Sequence, residues 1–176
     1  MNINQFITTN GLQPADAIVL RKKFMGMVDH FAIYLGNNES NQPEFVANFT
    51  KGIQIIPQKE IEEQLTKYVP ERVEKFNGNY IQRRSAIERA FSKIGENNYG
   101  LFSNNCEHFK NWVHLGREVS EQVDKFGNLL TIGGVFMTLE GFNRSDNKTR
   151  NWGIGLLTFG LILKGLSEKK VVLNGK

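Results

Sequence analysis

From Val28 to Gly36 a largely apolar run, with Phe31 to Leu35 unbroken, predicts a strand in which Phe31, Ile33 and Leu35 share one face while His30, Ala32 and Tyr34 share the other. Similar runs predict strands over about Ala17–Phe24, Glu44–Phe49, Gly52–Ile56 and Val69–Phe76. The pattern changes to a helical period in three places. Lys59–Lys67 reads as a polar helix with a narrow apolar stripe, and Tyr80–Gly95 as a helix with Ile87, Phe91 and Ile94 on one face and Gly95 as its C-cap. A third helix runs from Cys106 to about Lys125, with Cys106, Phe109, Val113 and Gly116 along one face. Strands followed by helices predict an α+β fold in which a small antiparallel sheet packs on helices.

Beyond Lys125 the character shifts. Residues 129–137 and 152–163 are apolar and glycine-containing, separated by a polar connector from Asn143 to Asn151. Each run is shorter than the roughly 20 apolar residues that span a bilayer. They predict a C-terminal helical hairpin, which either packs on the core or on a second copy in a homodimer, or dips into a membrane surface through residues 129–163 with Trp152 and Lys164 near the interface. The chain thus divides into residues 1–125, the strand-and-helix unit, and 126–176, an apolar helical tail.

With 176 residues and 40% hydrophobic content, the chain can bury one substantial core. A single cysteine excludes an internal disulfide and suits a reducing compartment. The start Met1-Asn2-Ile3-Asn4-Gln5-Phe6 lacks the basic and long apolar stretches of a secretory signal. The expected location is cytoplasmic, with membrane association if the hairpin meets lipid. A net charge of +4, with no strong clustering beyond Arg21-Lys22-Lys23 and Arg83-Arg84, describes a solvated face or one that favours anionic lipid, and does not indicate nucleic acid. The histidines and the cysteine lack metal-ligand spacing, and no phosphate-cradling glycine loop precedes a helix, so neither metal nor cofactor is expected.

The chemistry concentrates at Asn105-Cys106-Glu107-His108-Phe109. With Asn104 or Asn105 as N-cap, Cys106 falls in the first helical turn, where free backbone N–H groups and the helix dipole favour a thiolate. His108 lies about 200° around the helix from Cys106, and His114 about 12 Å along it, so neither reaches the thiol. His30 remains as the base. Small Ala32 beside it leaves room for a helix start and a substrate, and Asn48 on the next strand offers an amide oxygen to orient the imidazole. The candidate catalytic set is Cys106, His30 and Asn48, with the backbone N–H of Cys106 as oxyanion donor.

The segments His30-Phe31-Ala32-Ile33-Tyr34-Leu35-Gly36 and Asn105-Cys106-Glu107-His108-Phe109 resemble the two signature boxes of the lecithin:retinol acyltransferase-like domain, which includes the phospholipase A/acyltransferase enzymes. The domain is a circularly permuted relative of the NlpC-type papain-like fold. The resemblance covers roughly residues 12 to 115, taking in Gln13-Pro14-Ala15-Asp16-Ala17-Ile18, the helix-like Ile87–Gly95 and Tyr99-Gly100-Leu101. Lipid-acting members usually carry a second histidine on the strand after the first box. Here an insertion around Asn37 to Pro43 puts Asn48 there, and Val28 stands where an aromatic residue often precedes the first histidine.

The resemblance implies a covalent thioester: Cys106 attacks an acyl carbonyl, His30 takes the thiol proton, and the acyl group passes to water or an amine. The implied partner is a lipid or related acyl ester. Two other readings keep the same residues. One is a cysteine peptidase or amidase of the NlpC type; the other is a non-catalytic membrane or protein interaction module built on the apolar tail.

Overall fold

The computed structural model describes residues 2–21, 29–100 and 104–167, and divides into two compact units, Met1–Glu118 and Val119–Lys176. In the first, five antiparallel strands, β1 (Ala17–Arg21), β2 (Asp29–Asn37), β3 (Pro43–Phe49), β4 (Gly52–Ile56) and β5 (Val69–Glu74), form one sheet in the order β4-β3-β2-β1-β5. This is the α+β architecture expected from the patterning. The end of the expected first strand, and Val28, lie outside the described residues.

Both faces of the sheet are buried, because two helix pairs cover them. Ile18, Leu20, Ala32, Tyr34, Phe45 and Ala47 point to one side, where α1 (Ile3–Asn10) contributes Ile3 and α2 (Gln58–Lys67) contributes Ile61 and Leu65. Helix α1 has no counterpart in the sequence reading. Asn2 caps it by accepting from the N–H groups of Asn4 and Gln5, and Gly11 ends it in the left-handed conformation. On the other side, Ala17, Ile33 and Val46 meet α3 (Tyr80–Ser92) and α4 (Cys106–Leu115) through Ala86, Ala90, Phe109 and Val113.

Helix α3 corrects one expectation. It buries Ala86 and Ala90, while Phe91 and Ile94 are exposed. Small side chains let α3 lie close to its neighbours, so the larger apolar residues on the adjoining face stay outside. The α4 boundary is a second correction: the cysteine helix ends at Leu115, where Gly116 adopts φ +69°, instead of running to Lys125. A new helix then begins after Ser120, whose hydroxyl accepts from the Val123 N–H.

The second unit is a hairpin of α5 (Glu121–Asn143) and α6 (Asn147–Ser167). Gly127, Gly134 and Gly141 recur every seven residues on α5, and Gly153 and Gly160 do so on α6. A Cβ at Gly134 would overlap the Leu157 backbone, so the contact requires glycine; one at neighbouring Gly133 would meet nothing. Gly134→Val should therefore destabilise the hairpin by about 1–3 kcal/mol through overpacking. Gly133→Ala should stabilise it by roughly 0.5–1 kcal/mol through helix propensity. Thermal melts followed by circular dichroism check both signs.

Candidate active site

The loop before α4 is tied down before it delivers the cysteine. Gly100 and Asn104 exchange backbone hydrogen bonds of 3.2 and 3.0 Å, and the Asn104 amide donates to the Asn98 carbonyl at 3.2 Å. Asn105 is the N-cap: its Oδ1 accepts from the N–H groups of Glu107 and His108, both at 3.0 Å. His108 completes the cap, with Nδ1 3.0 Å from that same oxygen and 3.4 Å from the Asn105 N. The His108 ring is fully buried in this structural role.

Cys106 occupies the first turn, 2% exposed, packed against Val19 and Phe31. Its Sγ donates to the Asp29 carbonyl at 3.1 Å. One turn on, the Lys110 ammonium stands over the Phe31 ring at 5.1 Å and pairs with Glu74 at 2.9 Å. A helix N-terminus with a lysine one turn along favours the charged thiol. The phenol of Tyr99 senses that sulfur: burial raises its pKa, and a charge on Cys106 raises it further. Tyr99 has no role in the sequence reading because its spacing to Cys106 carries no periodic signal; the pairing of Gly100 with Asn104 is what brings it toward the start of α4.

Asn48, two residues on from Val46, shares its face of β3 and so looks toward α4. Its Nδ2 donates to the carbonyls of Asn104 at 3.0 Å and Asn105 at 3.4 Å, so this side chain fixes the entry to α4. Its Oδ1 is buried and makes no hydrogen bond among the described residues. The orienting bond expected from Asn48 to the imidazole is thus not made here.

His30 stands on the face of β2 opposite the one that carries Cys106. The register pairs Leu20 with His30 and Val19 with Phe31. Because side chains alternate along a strand, the Val19–Phe31 face carries Cys106 and the Leu20–His30 face carries α1 and α2. The imidazole stacks on Phe49 at 4.9 Å and lines a cavity of about 280 Å³ with Glu60, Glu63, Gln64, Lys67 and Tyr68. The space beside Ala32 that was expected to receive the cysteine helix is filled by the apolar side chains of α1 and α2. Helix α4 sits instead over Ile33 and Val46, which give Phe109 and Val113 an apolar seat. At the start of β2 the thiol meets the backbone carbonyl of Asp29, one residue before His30.

His114, the third histidine, is bound to the Ala15 carbonyl through Nε2 at 2.8 Å and meets Phe76 edge-on. Burial lowers its pKa, consistent with a neutral structural imidazole. Among the described residues, no group of three or more His, Cys, Asp or Glu side chains could hold a metal ion.

The family model of lecithin retinol acyltransferase matches residues 10–119, spanning the sheet, both signature segments and α4. The chain belongs to the lecithin retinol acyltransferase family. No curated protein matches it. The family's activities are of the acyltransferase and phospholipase type, and the matched residues contain Cys106, His30 and Asn48. Helices α5 and α6 fall outside the match.

Proposed function

We propose that this chain is a cysteine-dependent acyltransferase or acyl hydrolase that acts on lipid or related acyl esters through a covalent thioester. The observation that carries the reading is the seat of Cys106: a lone thiol in the first turn of a doubly capped helix, inside the family match. In the proposed reaction Sγ attacks the ester carbonyl, the S–C bond forms, and the C–O bond breaks. The thiol proton leaves with the alcohol. Water or an amine then attacks the thioester, returning the thiol and releasing a carboxylic acid or an amide. The Cys106 N–H, at the open end of α4, is the donor for the oxyanion.

His30 is the base in this reading. Its ring rests on the α2 face, so proton transfer in this reading requires the Asp29–His30 end of β2 to release its pairing with Leu20 and Arg21 and bring the imidazole to the α4 side. The same placement favours a second reading, an interaction module, since a buried thiol bound to a carbonyl, with the imidazole on the other face of the strand, can be inert.

Alkylation by iodoacetamide across pH separates the two. A catalytic Cys106 should react near neutral pH, and His30→Ala should slow both that alkylation and turnover, the latter by about 10²–10⁴. His108→Ala should alter stability through the lost cap while leaving the alkylation pH profile in place. A thiol that reacts only above its ordinary pKa of about 8.5 in both proteins supports the interaction module.

A further inference from the structure

The hairpin is built inside out. Glycines and threonines occupy the α5–α6 contact, and most large apolar side chains of α5 point elsewhere. Leu129, Ile132, Phe136 and Leu139 are between 63% and 69% exposed. At about 100° per residue they fall on the side of α5 opposite the glycine row. Their spacing of three, four and three residues is the heptad seam of a coiled coil. Val135 and Phe142, also exposed, widen one flank.

We propose that this seam pairs α5 with α5 of a second copy of the chain, giving a twofold antiparallel four-helix bundle made of two hairpins. With the axis near Gly134, Ile132 faces the partner's Phe136. Six apolar side chains at roughly 100 Å² each give about 600 Å² per copy, or about 1,200 Å² in all, which reaches the lower bound for a stable interface.

A seat in lipid that spans the bilayer or enters it tip first is the poorer occupant on two counts. The uncharged stretches, Phe126–Leu139 and Asn151–Leu163, extend only about 20 Å at 1.5 Å per residue, against a hydrocarbon core of about 30 Å. No helix among the described residues is long and apolar enough to cross a membrane. The turn end also carries Glu140, Arg144, Asp146, Lys148 and Arg150, so insertion tip first would bury five charged groups.

Sedimentation velocity of the full-length chain over about 1–100 μM without detergent tests the pairing, since oligomerisation follows mass action. The expected result is a concentration-dependent dimer. It should be lost in Phe136→Lys and weakened in the milder Phe136→Ser, with helical content by circular dichroism retained in at least the milder one. Ile162→Lys, on the outer side of α6, should leave the dimer intact. A wild-type monomer, a dimer that survives both Phe136 substitutions, or loss of the dimer by Ile162→Lys equally would overturn the proposal. So would a monomer that floats with vesicles of two parts phosphatidylcholine to one part phosphatidylglycerol, which would assign the seam to lipid.

Discussion

Cys106→Ser should leave a folded protein whose acyl transfer is reduced by about 10⁴–10⁶, the scale on which removing a nucleophile acts in covalent catalysis. The substitution keeps the volume and the hydrogen bond to the Asp29 carbonyl, so the loss reports chemistry and not packing. Because the chain has one cysteine, no other thiol can substitute. Turnover of phosphatidylcholine into free fatty acid or, with an amine present, into amide measures it; retention of wild-type rate by the serine variant would remove Cys106 from the mechanism.

The largest stability effect is expected at Asp16, far from the thiol. This carboxylate is 1% exposed and binds Arg83 at 2.9 Å, Lys75 at 3.1 Å, and the N–H groups of Gln13 and Phe76 at 3.0 Å each. It locks the turn before β1 to the β5–α3 junction. Asp16→Asn strips the charge from a site built around it and should cost about 3–5 kcal/mol, the range for breaking a buried ion pair from one side. Urea unfolding at neutral pH measures the loss.

The pH dependence of that difference has a defined sign. Burial pushes the Asp16 pKa up, but Arg83, the two backbone N–H groups and Lys75 outweigh it and hold the folded value below the ordinary 3.8. As pH falls past that ordinary value the unfolded chain binds the proton first, so stability from Asp16 is complete above about pH 4 and is lost as pH falls through the folded pKa. The gap between the wild type and Asp16→Asn should be constant from about pH 5 to 7 and shrink in stronger acid.

The strands and α4 were legible because their apolar periods are long and unbroken, as in Phe31-Ile33 and Cys106-Phe109-Val113. Face assignment was not. A strand buried on both sides has no polar face to mark it, so nothing in the β2 run says which of Phe31 and His30 looks toward α4. The answer depends on α1, whose single fully buried residue, Ile3, is too sparse a signal to announce a helix that fills one side of the sheet. Asn48 was placed on the correct strand, yet its hydrogen bonds go to the α4 entry loop, a partner set only by long-range packing. The hairpin was legible as two apolar segments, while the seven-residue glycine row that joins them becomes visible only when the helices are aligned.

Intact-protein mass spectrometry after incubation with phosphatidylcholine tests the central claim most directly. The account predicts a mass increase of one fatty acyl group minus a proton, removed by neutral hydroxylamine, mapped to Cys106 and missing in Cys106→Ala. A wild-type chain that turns over the lipid with no adduct under acid quench, or an adduct that persists in Cys106→Ala, would contradict it.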